Sequence, residues 1–495
     1  MGGRKIGESF VKRILKNAKF FHILLILIFA LALFLRADMY VFNRPFWFDE
    51  AALAINVLDN SFPALFKELS YFQSAPPMFL FETKVLILLF GDSERVFRFI
   101  PFLASLLSLP LFYALSRYFL SNPFSRLFAL FLFAINTNLI FYSGEFKPYA
   151  LDVFALISFL LLVFIFKFKK PLLCGVLFAL MLWYSYASGI VALCVILVLL
   201  SLVIKTKKHK KELGLFILPQ TLNFVFFVLH LGAIEKTREF MGALWSYGYI
   251  APDFSIFFTL LLDNVFYIFH PYKFILPQYP YFLPLLFSLL CIFGAVTLLR
   301  ASRFKFYILI MPYFALLALS FLKIYPYYDR MTLFLTPVFI ILFVRAFEFI
   351  FKKRFGVFVF FALVIFSIYP VITSQKVMKN LPSQDLYTFL KLKENYKKGD
   401  IVILNQTSLP QFLYYGRRYS FTPECVRVEK MQRSADEYLM LLNTLDKDKN
   451  YWFMVSSVKF PNVLDTREVI EFWGADRVKF KHYNKRKSDL YYVGK

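Results

Sequence analysis

The sequence predicts a polytopic α-helical membrane protein that ends in a small α/β domain, and three observations carry that expectation. The chain of 495 residues is 59% hydrophobic and 21% aromatic, and several of its apolar runs reach the roughly 17 to 25 residues needed to cross hydrocarbon. Its 57 Lys and Arg residues outnumber 32 Asp and Glu, and they fall in short clusters between the apolar runs, where cytoplasmic loops collect them. From about residue 373 onward charge rises and the apolar runs become too short to span. The net charge of +25 therefore reads as topology and contact with anionic lipid. No base-reading module accompanies it, so no nucleic-acid partner is expected.

The basic start (Arg4, Lys5, Lys12, Arg13, Lys16, Lys19) leads into residues 20–37 without a small-residue cleavage site, which predicts a retained first span with its N-terminus in the cytoplasm. Residues 76–90 open on Pro76-Pro77 and contain Glu82 and Lys84. They are short and charged, and an interfacial helix on the outer surface is expected instead of a span. Spans follow at 99–118, 127–142 and 151–166, separated by Arg117 and Arg126 and followed by Lys167, Lys169 and Lys170. Residues 171–204 read as two short spans that turn at Tyr184-Ser185-Tyr186-Ala187-Ser188-Gly189. After the basic run Lys205 to Lys211 the chain crosses again into an external loop at 235–279, with a second interfacial helix at 253–270. The remaining spans fall at 281–299, 306–325, 331–347 and 355–372, with Arg300, Arg303 and Lys305, then Lys352, Lys353 and Arg354, as inner loops. That makes about eleven spans with the C-terminus outside.

The expected division is a membrane domain at 1–372, with interfacial helices in its first external loop, and a soluble extracytoplasmic domain at 373–495. In the latter, residues 385–396 have helical spacing, while 400–404 and 451–455 read as buried strands. Cys174, Cys194 and Cys291 lie in apolar runs and Cys425 stands alone in the tail, which gives no disulfide framework. His22, His209, His230, His270 and His482 are scattered without the spacing of zinc ligands.

Under this topology three polar sets share the outer side. They are Asp49-Glu50, the stretch from Ser143 through Glu145, Lys147 and Tyr149 to Asp152, and Tyr325-Pro326-Tyr327-Tyr328-Asp329-Arg330. Each alone reads equally as an anchor or structural pair at a span end. Together they supply what transfer from a phosphate-linked donor requires. A carboxylate must take the proton of an attacking hydroxyl or amine, and positive charge must stabilise the departing phosphate. Asp49 is the candidate base, Glu50 its companion for acceptor or cation, and Lys147 and Arg330 are the candidate phosphate ligands. The fork of arginine grips phosphate more specifically than the point charge of lysine. A divalent cation on Asp49, Glu50 or Asp152 is compatible with the same carboxylates. The tyrosines at 325, 327 and 328 suit either sugar stacking or an interfacial aromatic belt.

The order of these features resembles the GT-C superfamily of polyprenyl-phosphate-sugar-dependent glycosyltransferases. An Asp-Glu pair in the first external loop is followed by Pro76-Pro77 opening an apolar run, by Gly91 through Arg98 and Pro101, and by Ser143-x-Glu145-x-Lys147-x-Tyr149. The likeness is to the branch holding bacterial protein O-mannosyltransferase-like proteins and aminoarabinose transferases, and it covers about residues 20–160 of the chain. It implies an inverting membrane transferase acting at the periplasmic face, with Asp49 as base and Asp152 in the active-site region; Glu145, Tyr149 and Tyr328, which fall in the same polar sets, are expected in that region as well. Three departures stand out. Lys147 occupies a place where arginine is common, Ser74-Ala75 replaces the Glu-Lys that precedes proline in the aminoarabinose enzymes, and no Trp-Trp-Asp motif occurs. The second argues against aminoarabinose transfer to lipid A as such, and the third against en bloc transfer to asparagine.

The expected function is therefore transfer of a single sugar from a polyprenyl-phosphate donor to a lipid, glycan or protein acceptor outside the cytoplasmic membrane. A transporter or flippase of lipid-linked sugar would use the same cavity without needing a base. A non-catalytic envelope scaffold would need neither carboxylate.

Overall fold

A computed structural model describes residues 18–166, 168–250, 253–269, 282–351, 371–373, 376, 379, 385–429, 434–456, 464–475, 479–485 and 488–494. The expected span at 355–372 lies almost wholly outside these residues, as do the basic residues before Ala18, the loop at 352–354 and His270. The chain forms two compact units, one of residues 1–42 and 62–379, the other of residues 43–61 and 380–495.

In chain order the helices begin with α1 (Ala18–Phe42), α2 (Phe48–Asp59), α3 (Pro77–Phe90), α4 (Glu94–Phe119), α5 (Pro123–Ile135), α6 (Thr137–Ser143) and α7 (Tyr149–Phe166). They continue with α8 (Pro171–Met181), α9 (Ala187–Thr206), α10 (Lys210–Ala233), α11 (Glu235–Leu244), α12 (Phe254–Phe269), α13 (Phe282–Ala301), α14 (Arg303–Phe321) and α15 (Thr336–Phe351). The last four are α16 (Asp385–Asn395), α17 (Leu409–Arg418), α18 (Ala435–Asn443) and α19 (Arg467–Gly474).

Among the described residues eight helices are long and apolar enough to cross a membrane, or nine if the bent pair α5 and α6 counts as one span. The expected eleven is thus not reached within them. The runs at 20–37, 99–118, 127–142 and 151–166 become α1, α4, the α5–α6 pair and α7, and the two short segments in 171–204 become α8 and α9. Residues 76–90 form α3, a helix of 14 residues that stops at Gly91, whose φ of +85° is costly for any side chain. Small residues let the helices meet closely where they pack. A Cβ on Gly175 of α8 would lie 2.3 Å from the Phe216 carbonyl oxygen of α10, and one on Gly294 of α13 would lie 1.9 Å from that of Leu342 in α15.

The bend between α5 and α6 is 51° and sits at Asn136, whose extended backbone breaks the helix while its side chain accepts from the Leu139 amide at 3.0 Å to start the next. A break inside hydrocarbon frees carbonyls that no water can satisfy. Arg36 of α1, fully buried, supplies the donors: its guanidinium reaches the carbonyls of Ala134 at 2.9 Å and Phe133 at 3.2 Å, and its Nε reaches Ser105 Oγ at 2.9 Å. Arg36→Leu removes these three bonds and the one to the Ala32 carbonyl at once. It is expected to cost about 3 kcal/mol, read as a lower unfolding temperature of the purified protein in detergent, because buried carbonyls are left unpaired.

The second unit is built on a five-stranded sheet in the order β2-β1-β3-β5-β4, with β1 (Ile401–Asn405), β2 (Cys425–Glu429), β3 (Tyr451–Val455), β4 (Lys479–Lys485) and β5 (Ser488–Gly494). β1 runs parallel to β2 and β3, and β5 is antiparallel to both β3 and β4. The two strands expected from the sequence are the parallel neighbours β1 and β3, and the expected helix is α16. Ile401, Ile403, Phe453, Tyr491, Ile470 and Trp473 form the core on one face. The fully buried carboxylate of Asp385 at the start of α16 ties the elements together, accepting from Ser488 Oγ at 2.8 Å, Gln411 Nε2 at 3.0 Å and Ser456 Oγ at 3.2 Å.

α2 belongs to this unit and packs on α17. The Phe46 amide donates to the Tyr415 hydroxyl at 2.7 Å, the Phe46 ring lies 4.8 Å from that of Tyr414, and Arg417 pairs with Asp59 at 2.5 Å. The exposed ion pair adds little, whereas the buried ring and hydroxyl contacts fix the register of the first segment on the domain.

Candidate active site

Within the helical unit the polar stretch after α6 is a tight turn. Gly144 sits where a Cβ would come 3.0 Å from the Met39 side chain, and the Lys147 amide closes on the Glu145 carbonyl at 2.8 Å. Pro148, just before α7, has no amide to leave unpaired, and its carbonyl accepts from Asp152 at 3.0 Å to begin the helix. Glu145 and Lys147 are both buried by this turn. The Lys147 ammonium donates to Gln73 Oε1 at 2.9 Å, and Gln73 is itself buried. Asp152, one turn into α7, accepts from Ser185 Oγ at 2.6 Å in the turn between α8 and α9.

Gln73 is held by a segment pinned from several sides. The Thr237 hydroxyl donates to Glu68 at 2.6 Å, His230 Nδ1 donates to the Phe66 carbonyl at 3.0 Å, and the Tyr186 hydroxyl donates to the Ala75 carbonyl at 3.1 Å. Tyr71 and Phe72 stand at φ of +61° and +51°, a left-handed backbone that costs roughly 1 to 2 kcal/mol per residue. The stacking of Phe72 on Phe240 of α11 at 3.9 Å helps to hold it.

The third polar set closes on the same turn. The Tyr327 amide donates to the Gly248 carbonyl at 2.9 Å, and a Cβ on Gly248 would lie 2.9 Å from that of Tyr328, so only glycine allows this approach. The contact brings Trp245 to Arg330, whose guanidinium lies 5.2 Å from the Trp245 ring centre and 5.6 Å from that of Tyr149. Tyr328 sits beside them, 6.2 Å from Trp245 and edge-on to Tyr247 at 5.2 Å.

Glu145, Lys147, Tyr149, Asp152, Tyr328 and Arg330 are thus arranged around Tyr149 in the helical unit. Asp49 and Glu50 lie in the first turn of α2 in the sheet unit, where the helix N-terminus favours carboxylates. Neighbouring helical residues point about 100° apart. Glu50 accordingly faces inward, fully buried and 3.8 Å from the Arg44 guanidinium, while Asp49 stays partly exposed. Three residues that sequence reasoning did not assign to the site complete the geometry: Gln73, Ser185 and Trp245. Being neutral, they carry no charge signal at a span end. Among the described residues no group of three or more His, Cys, Asp or Glu side chains is gathered in a way that would hold a metal ion.

Residues 74–231 match the family model of dolichyl-phosphate-mannose-protein mannosyltransferase. The matched stretch contains Lys147, Tyr149, Asp152 and Ser185, and it begins one residue after Gln73. The backbone superposes on the crystal structure of ArnT from Cupriavidus metallidurans bound to undecaprenyl phosphate with a TM-score of 0.52 at 13% identity, covering 94% of this chain and 97% of that one. This is a GT-C fold. The apo structure of the same ArnT gives a TM-score of 0.54 at 11% identity with the same coverage. No curated protein matches the sequence. The GT-C resemblance drawn from the order of Asp49-Glu50, Pro76-Pro77 and the 143–152 stretch is borne out, and the GT-C fold extends well past residue 160 into the C-terminal sheet unit.

Proposed function

We propose that the chain is an inverting glycosyltransferase that moves one sugar from a polyprenyl-phosphate donor to a lipid, glycan or protein acceptor at the outer face of the cytoplasmic membrane. The observation that carries this reading is a pair of held cations, buried Lys147 on Gln73 in the turn at 144–149 and Arg330 against the rings of Tyr149, which ends that turn, and Trp245. The undecaprenyl phosphate in the ArnT complex and the mannosyl-phosphate chemistry in the family description support the same class of donor.

In this reaction the acceptor oxygen or nitrogen attacks the anomeric carbon from the face opposite the phosphate. The bond from that carbon to the phosphate oxygen breaks with its electron pair, giving inversion, and Asp49 takes the acceptor proton. Lys147 and Arg330 stabilise the phosphate that leaves. Ser185 orients Asp152, and the rings of Tyr149 and Tyr328 offer faces for the sugar. Glu50, paired with Arg44, holds the turn that presents Asp49. The proposed division assigns 1–372 to the membrane catalytic domain, with the N-terminus in the cytoplasm, and 373–495 to an extracytoplasmic domain.

The test is transfer in reconstituted membranes with labelled endogenous lipid-phosphate sugars. Label in a protein, glycan or lipid product supports the proposal and names the acceptor. Tight donor binding without product would point instead to a transporter of lipid-linked sugar. Gln73 gives a finer check: Gln73→Leu leaves the Lys147 ammonium without its 2.9 Å acceptor and is expected to raise the KM for donor about tenfold with a smaller change in kcat.

A further inference from the structure

α4, α7, α8, α9, α10 and α14 line a partly open cavity of about 460 Å³. It lies at the end of the helical unit away from Asp152: Asp152 is in the first turn of α7, whereas the cavity is lined by the last turns of that helix, Leu162 to Phe166. The span between them is roughly 20 Å at 1.5 Å per residue. Phe164, Phe178, Phe216 and Phe304 form much of the wall. The volume falls within the range of ligand pockets.

Two lysines, Lys169 and Lys305, complete the lining, and no carboxylate is part of it. Lys305 donates to the Tyr118 carbonyl at 2.5 Å, which fixes its ammonium at the cavity and leaves further N–H donors on it. Lys169 is exposed in the turn that enters α8. On the adjoining turn from α9 to α10, His209 stacks on Phe168 at 4.6 Å, and Lys207, Lys208, Lys210 and Lys211 flank it in sequence. An apolar hollow in a bilayer loses dispersion contacts unless hydrocarbon fills it. A neutral hydrocarbon would draw nothing from the lysines at its margin, whereas an anionic headgroup would.

We propose that this cavity is a binding site for an anionic glycerophospholipid, separate from the proposed donor site, with an acyl chain among the phenylalanines and the phosphate on Lys169 and Lys305. The binding is independent of the transfer reaction.

Purified full-length protein, stripped of lipid in detergent, is to be titrated with dioleoyl-phosphatidylglycerol, dioleoyl-phosphatidylcholine and inorganic phosphate, with bound ligand counted by native mass spectrometry. The expected result is phosphatidylglycerol bound about tenfold more tightly than phosphatidylcholine, with no retention of inorganic phosphate. K169A/K305A should erase the preference and K169R/K305R should keep it. Leu162→Trp, which fills the cavity, should weaken phosphatidylglycerol binding in protein whose helical content and monodispersity are unchanged. Equal binding of the two phospholipids, or a preference that survives K169A/K305A, overturns the proposal. So does inorganic phosphate binding as tightly as phosphatidylglycerol, which would make the lysines an anion site with no lipid chain.

Discussion

Asp49→Asn is expected to lower sugar transfer in reconstituted membranes by at least about a hundredfold while leaving donor binding unchanged, the range that loss of a general base produces. Asparagine keeps the shape of the side chain and its place in the first turn of α2, and it cannot accept the acceptor proton. Asp49 is partly exposed and stands in the first turn of its helix, so the loss of its charge is expected to lower the unfolding temperature only slightly, far less than the loss of activity. The readout is initial rate with labelled donor lipid, together with donor affinity measured separately. Activity within threefold of wild type would remove Asp49 from the role of base.

The second large effect concerns Arg330. Its guanidinium lies over Tyr149 at 5.6 Å and Trp245 at 5.2 Å, so two rings hold its position. Arg330→Ala loses a bidentate charge-assisted contact to phosphate as well as the ring contacts, and kcat/KM for donor should fall about a hundredfold. Arg330→Lys restores the charge but neither the fork nor the planar stacking, and a loss of about tenfold is expected to persist. Lys147→Ala should cost less than Arg330→Ala, since a point charge contributes less specific geometry. Near-normal donor turnover in Arg330→Lys would show that charge alone suffices at this position and would count against the fork.

The spans were legible because a bilayer imposes length and apolarity on contiguous residues, and α1, α4 and α7 satisfy both within their own sequence. The central strands β1 and β3 were legible for a related reason: buried on both faces, they are unbroken apolar runs. β2 and β4 flank the sheet and interleave charge, as in Lys479 to Lys485, and so gave no such signal. In the candidate site, Lys147, Asp152 and Arg330 stood out as charges at span ends. Gln73, Ser185 and Trp245 acquire meaning only through the side chains they meet far along the chain, Lys147, Asp152 and Arg330. Arg36 was hidden because the run at 127–142 is long and apolar enough to read as one span, and the polar triplet Asn136-Thr137-Asn138 inside it acquires meaning only once the helix is seen to break there.

The packing of α2 on α17 also sets a clock. The Phe46 amide and its acceptor on Tyr415 are 369 residues apart, and ribosomes add roughly 5 to 20 residues per second. Roughly 20 to 70 s therefore separate the synthesis of the segment that carries Asp49 from that of its packing partner. For that interval the nascent chain holds α2 without the sheet unit it folds into, and the proposed base acquires its fixed setting among the last events of biogenesis.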